Sequence, residues 1–210
     1  MNSIKDALHL LDIHFKFYCE VKDFAIKYGH PHPSDSRAWS QIVVSVLTGI
    51  SGLKRKKGAD FDDGSDVKAA ETWGAIDTPR FNGVIKAGTK SVKAGKLESL
   101  DGMPFLFFVL WDNTPKTNKE RCRIWVVRPQ KDKLFREMCR LWYSKCEKKE
   151  IISNNFQLHP PRNKDSNVFR NTCGNLEYPL LLEAHREENG FQQIVYNPDV
   201  LEYGLCKYAV

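Results

Sequence analysis

Gly58-Ala59-Asp60-Phe61-Asp62-Asp63-Gly64-Ser65-Asp66-Val67-Lys68 sets a carboxylate, a short glycine-bearing turn, a second carboxylate and a lysine in close succession. The segment from Ser65 to Thr72 reads as a β-strand. On a strand successive side chains point to opposite faces, so Asp66 and Lys68 share one face while Val67 turns into the core. Asp60 can meet them across a hairpin-like turn at Asp63-Gly64. Two carboxylates supply the oxygen ligands that Mg²⁺ prefers, and an ammonium group stands beside the water that would attack phosphorus. That is the equipment of metal-dependent phosphodiester hydrolysis. Asp62 and Asp63 compete with Asp60 for the first position, and a surface hairpin in which Lys68 pairs with Asp66 or Asp63 has the same local pattern.

Basic segments flank this stretch. Lys54-Arg55-Lys56-Lys57 lies upstream, either as a backbone contact for a polyanion or as a solvated helix end. Residues 79–96 are glycine-punctuated, carry Arg80, Lys86, Lys90, Lys93 and Lys96, and contain no acid. This reads as a loop, with a short strand over 83–87, whose cations can neutralise phosphates. Phosphate contacts give affinity without sequence preference; reading sequence needs hydrogen-bonding side chains at base edges. Asn82 is one candidate. A second donor-rich segment holds His159, Arg162, Asn163, Lys164, Arg170, Asn171 and Asn175, in which Arg suits guanine and Asn suits adenine; an ordinary exposed loop is the competing account.

Further out, Ile4, Leu8, Leu11, Phe15 and Tyr18 step by three and four, with Ile13, Phe17, Val21, Phe24 and Tyr28 as a second stripe. This predicts a helix over 3–28 that packs against more than one neighbour. Glu20 on it is an accessory acid or, more simply, a solvated one. Gly29-His30-Pro31-His32-Pro33 ends the helix as a turn. Ser34 or Asp35 caps a second helix running to Ile50. Met103 to Trp111 is almost wholly apolar and reads as a central buried strand. A strand at 123–128, a helix at 130–148, a strand at 155–159 and a helix at 180–187 complete the expectation.

The 210 residues are 41% hydrophobic and 28% charged, with a net charge of +6, which suits one globular domain and favours a polyanionic partner. The expected division is a helical part over 1–53, a catalytic core over 54–150, and a DNA-contacting part over 151–210. No apolar run approaches the ~20 residues that cross a bilayer, and Met1 to Asp6 is too charged to begin a signal peptide. A cytoplasmic protein with no membrane partner is expected. Six cysteines without a C-x-x-C pair read as free thiols rather than a zinc site.

The spacing Asp60-x(5)-Asp66-x-Lys68, preceded by Ala59 and followed by Phe61, resembles the PD-(D/E)XK nuclease superfamily. The hairpin is similar to those of MutH-type and MvaI-type DNA endonucleases. Residues 54–70, together with Phe156-Gln157-Leu158-His159-Pro160-Pro161-Arg162 and Cys173-Gly174-Asn175-Leu176, more finely resemble the MamI group of type II restriction endonucleases. Ala59 stands where the pattern has proline, and Asp66 where many members have glutamate. The resemblance implies an α/β restriction-endonuclease-like fold, a central mixed sheet with an antiparallel start flanked by helices. It implies Mg²⁺ held by Asp60, Asp66 and the Val67 carbonyl, and Lys68 orienting the nucleophile. It also implies a homodimer cutting double-stranded DNA at a defined sequence. A silent DNA-binding module and a MutH-like nicking enzyme are the alternatives.

Overall fold

The computed structural model describes residues 3–27, 36–53, 58–73, 78–85, 97–153 and 155–209. A five-stranded mixed sheet forms the centre, in the order β1-β2-β3-β6-β7, from β1 (Asp66–Glu71), β2 (Leu106–Asn113), β3 (Glu120–Val127), β6 (Leu180–Glu187) and β7 (Gly190–Tyr196). β1 pairs with β2 in parallel, Asp66 opposite Leu106 and Glu71 opposite Trp111; every other pair is antiparallel. The sheet therefore begins parallel, not antiparallel as expected. β1 and β2 are separated by a long crossover, as a parallel pair requires, whereas the other neighbours are joined by short turns or return antiparallel.

β2 is buried along nearly its whole length, which explains its unbroken apolar sequence. Its odd residues, Phe107, Val109 and Trp111, pack under helices α1 (Ile4–Lys27) and α2 (Arg37–Thr48). On α1 the buried positions are Ala7, Leu11, His14 and Tyr18, one helical stripe. Ile13 and Phe17 of the expected second stripe stay exposed, as does Glu20. α2 buries Ser40, Val43, Val44 and Leu47, and ends where Gly49 adopts φ +76° and its N–H reaches the Ser45 carbonyl.

Even residues of β2, Leu106, Phe108 and Leu110, face the second core. Helix α4 (Lys133–Glu147) covers this side, its N-terminus capped by the Asp132 carboxylate accepting from Phe135 N–H. A small antiparallel sheet of β4 (Val168–Asn171), β5 (Gly174–Glu177) and β8 (Lys207–Tyr208) lies beside it, and Phe81 and Phe169 stack there. One-turn helices α3 (Glu98–Asp101) and α5 (Val200–Tyr203) complete the elements.

Three expected elements differ. Residues 180–187 form strand β6, not a helix: Leu-Leu-Leu-Glu-Ala-His-Arg-Glu has helical propensity, but pairing with β3 and β7 on both sides overrides it. The expected strand at 155–159 is reduced to single bridges, Leu158 with Phe81 and His159 with Arg170. Of the strand expected over 83–87, residues 84–85 form a bend and 86–87 lie outside the described residues. The β6–β7 turn is clamped to α1, where Asp12 Oδ1 accepts from Phe191 N–H at 2.7 Å. Gly190 there has φ +117°, and a Cβ on it would stand 2.6 Å from Asp12 Oδ2. His30 and His32 lie outside the described residues. Among the described residues no helix is long and apolar enough to cross a membrane, and every described cysteine is a free thiol.

Candidate active site

β1 is an edge strand. Asp66 N–H bonds the Phe105 carbonyl across to β2, and the alternation of a parallel ladder then turns the N–H and C=O of Val67 to the open edge. At that edge Val67 N–H donates to Asp60 Oδ2 at 2.9 Å and to Asp66 Oδ1 at 3.0 Å. Lys68 Nζ pairs with Asp66 Oδ2 on the same face of the strand. Asp60, Asp66 and Lys68 thus converge, with only 14% of the Asp66 side chain and 19% of Lys68 exposed.

A tight turn brings Asp60 there. Phe61 N–H bonds the Ser65 carbonyl and Gly64 N–H bonds the Phe61 carbonyl, while Phe61 is fully buried and anchors the segment. Gly64 is required: at φ +94° its backbone lies so close to residue 102 that a Cβ would be 2.5 Å from the Gly102 carbonyl oxygen. Asp63 is occupied elsewhere, because its carboxylate accepts from Ser65 N–H and Ser65 Oγ–H. Ser65 Oγ in turn accepts from Phe105 N–H at 3.1 Å, tying the turn to the start of β2. Asp62 is exposed. Asp60 is therefore the carboxylate that meets Asp66.

One participant escaped sequence reasoning. Gln41 of α2 donates from Nε2 to Asp60 Oδ1 at 2.6 Å. It is a polar position on the rim of an amphipathic helix, and its partner lies nineteen residues away, so no local signal marks it.

The two carboxyls have opposite protonation tendencies. Burial pushes Asp60 up to about 7, reinforced by its hydrogen bond with Asp66 and by that group's charge, against the Val67 N–H and Lys68. Burial also disfavours ionised Asp66, but the hydrogen bond with Asp60 and the Lys68 ammonium hold it below the usual carboxylate range. Two carboxylates this close resist ionising together, so a proton is retained most readily at Asp60. A divalent cation would replace that proton. The donors are hard oxygens, two carboxylates and an edge-facing carbonyl, each carboxylate with lone pairs to spare. This set fits Mg²⁺, which takes one or two carboxylates and keeps several waters. Among the described residues no group of three or more His, Cys, Asp or Glu is arranged to hold a metal, so a closed zinc-type site is not present there.

The expected DNA-contacting residues fall in three classes. Lys54, Arg55, Lys56, Lys57, Lys86, Lys90, Lys93 and Lys96 lie outside the described residues. Arg80, His159 and Arg170 come together: His159 and Arg170 exchange backbone hydrogen bonds, and burial together with the charges of Arg170 and Arg80 depresses the His159 pKa. Arg162 and Lys164 are exposed on a loop over 161–166. The asparagines are mostly structural. Asn82 Oδ1 accepts from Gln157 Nε2, Asn163 Oδ1 from Asn113 N–H, and Asn171 Oδ1 from Cys173 N–H. Because β1 and β2 are in parallel register, Asp66 and Lys68 project from the same face of the sheet as Leu106 and Phe108. That face also carries Phe81, Leu158 and Phe169, the neighbours in sequence of Arg80, His159 and Arg170.

A family model described as MamI restriction endonuclease matches residues 23–196. The chain is 30% identical over 173 residues to a type II restriction enzyme MamI from Microbacterium ammoniaphilum, an alignment covering 77% of this chain and 55% of that protein. The chain thus spans about half the length of the curated relative it matches. No solved structure matches it.

Proposed function

The chain belongs to the MamI restriction endonuclease family, and from that premise we propose that it is a Mg²⁺-dependent endonuclease acting on double-stranded DNA at a defined sequence. The observation that carries this reading is the convergence of Asp60, Asp66 and Lys68 at the open edge of β1. Chain 1–210 acts as a single nuclease domain, and two copies related by a two-fold axis cut the two strands of a palindromic site.

Asp60 and Asp66, with the Val67 carbonyl, would hold the cation. When bound, Mg²⁺ supplies charge against the scissile phosphate and acidifies its water. Gln41 fixes one Asp60 oxygen by hydrogen bonding, and the Val67 N–H fixes the other. Lys68, steadied by Asp66, holds the attacking water and offsets negative charge as it builds on phosphorus. Partial burial of the pair strengthens these interactions relative to bulk water. Arg80, His159 and Arg170 contact phosphates from the same side.

The test is incubation of the purified chain with a long unmethylated duplex, with Mg²⁺ or with EDTA, followed by sequencing of fragment ends. Discrete ends that need Mg²⁺ and vanish in Asp66→Ala support the reading. DNA bound but left intact in Mg²⁺ would make this a silent binding module, and cutting by Asp66→Ala would remove the assigned site.

A further inference from the structure

Three ionisable side chains at the far end of β2 and β3 are buried without serving the site above. Asp112, Arg121 and Arg123 are 0%, 0% and 1% exposed. Asp112 Oδ1 accepts from Arg121 Nε at 2.9 Å, and Oδ2 accepts from Arg123 at 2.8 Å. One carboxylate between two guanidiniums leaves an excess of donors; Arg121 directs one to the Glu183 carboxylate of β6 at 3.3 Å, and the others go to one loop. Arg123 donates to the carbonyls of Pro161 at 2.7 Å, Lys164 at 3.0 Å and Ser166 at 3.0 Å. Arg121 donates to the Lys164 carbonyl at 3.1 Å and to the Asp165 carboxylate at 2.9 Å. Asn163 N–H donates to Asp112 Oδ2, and Asn163 Oδ1 accepts from Asn113 N–H.

The main chain of 161–166 is thereby held at residues 161, 163, 164 and 166, on both sides of Arg162, while Arg162 and Lys164 are left exposed. Burying two guanidiniums is a poor route to stability, since apolar residues of similar volume serve a core as well or better. What such a network specifies is conformation. A phosphate contact tolerates a mobile lysine, but a guanidinium forked onto a guanine edge requires its backbone to be placed closely. Position agrees with this. Asp112 lies on the same face of the sheet as Asp66 and Lys68, four residues beyond Phe108, the partner of Lys68. That is about 13 Å along the strand, or about four base pairs along a duplex with ~3.4 Å per base.

We propose that loop 161–166 is the sequence-reading element of the nuclease: Arg162 reads a guanine edge in the groove next to the scissile phosphate, and Arg121, Arg123 and Asp112 are positioning residues that act through the loop's main chain. The proposal rests on the endonuclease reading above. Arg123 also stacks on Trp125, its guanidinium 4.7 Å from the ring centroid, so the clamp is fixed from the sheet side too. Lys164 supplies charge toward the backbone without sequence preference.

The test selects bound sequences from a duplex pool with a randomised central region, in Ca²⁺ to allow binding without cutting. Arg162→Lys keeps the charge and loses the fork. Discrimination at one base pair is expected to fall about tenfold or more, with affinity for non-cognate duplex held within about threefold. Arg123→Lys is expected to relax the same base pair, with folding followed by circular dichroism. Should that variant not fold, Asn163→Gly serves, because residue 163 sits at φ +49° where glycine is unstrained. Wild-type discrimination retained in Arg162→Lys overturns the proposal, as does a loss of affinity equal for all sequences. Unchanged discrimination in a folded Arg123→Lys or Asn163→Gly overturns the positioning role. A wild-type chain that neither binds nor cuts duplex DNA brings down the endonuclease reading itself, a result distinct from the others.

Discussion

Binding of a divalent cation should expel a proton from the Asp60–Asp66 pair. Asp60 stands at about 7 in the cation-free protein, while Asp66 stays ionised beside Lys68. At about pH 6 the pair then carries about 0.9 of a proton, and at about pH 8 about 0.1, so binding releases those amounts. The apparent dissociation constant is accordingly about tenfold weaker at about pH 6 than at about pH 8, with a limiting slope of about one decade per pH unit below about 7. The sign for folding follows. A carboxyl whose folded-state pKa is raised stabilises the fold below its ordinary pKa, and that contribution is lost as pH rises through about 7. The cation-free protein should therefore weaken across this window and the cation-loaded protein should not. Calorimetric titration with Mg²⁺ or Ca²⁺, in buffers of different ionisation enthalpy, gives the proton count directly. Proton release below about 0.2 at about pH 6, alongside measurable binding, would mean that no proton is held between the carboxyls and would refute the argument. Asp60→Asn should abolish the release.

Other expectations follow from the same geometry. Lys68→Ala should cut the rate of DNA cleavage at saturating Mg²⁺ by about 10³-fold or more while leaving duplex binding intact in gel-shift assays. Gln41→Leu, which removes one support of Asp60, should weaken metal binding by about tenfold or more by titration without displacing the fold. Asp112→Asn leaves two buried guanidiniums short of their carboxylate and should cost about 3–5 kcal/mol in urea unfolding. Gly64→Ala, strained in φ and blocked by the Gly102 carbonyl, should cost about 1–3 kcal/mol, read as a lowered thermal midpoint together with lost cleavage.

The geometry of the candidate site was legible because its parts are local. Asp66, Val67 and Lys68 obey strand alternation, and Asp60 lies one tight turn away, so spacing carried the geometry. Family and fold class were legible from residues 54–70 together with the runs at 156–162 and 173–176, and the family match bears both out. Helices α1, α2 and α4 and strands β2 and β3 followed from their apolar patterns. What depended on distant partners was not legible. The pattern over 180–187 predicts a helix although Asn189-Gly190 marks a hairpin turn just beyond it; β6 is a strand because it pairs with β3, a neighbour no local pattern names. Arg121 and Arg123 sit among apolar residues in a fully buried strand, where their role depends on a loop about forty residues away. The parallel start of the sheet depends on a crossover, and Gln41 on a contact between a helix and a turn.

The clamp between Asp12 and the β6–β7 turn joins residues 179 apart in sequence. Helix α1 is synthesised well before the turn that seats it. Until then its buried stripe of Ala7, Leu11 and Tyr18 lacks the cover that β7 provides. Contacts of such long range slow a folding reaction, because the intervening loop must close before they stabilise anything. Helix α1 should therefore complete its docking late in folding, and its apolar face is until then a natural target for chaperone capture.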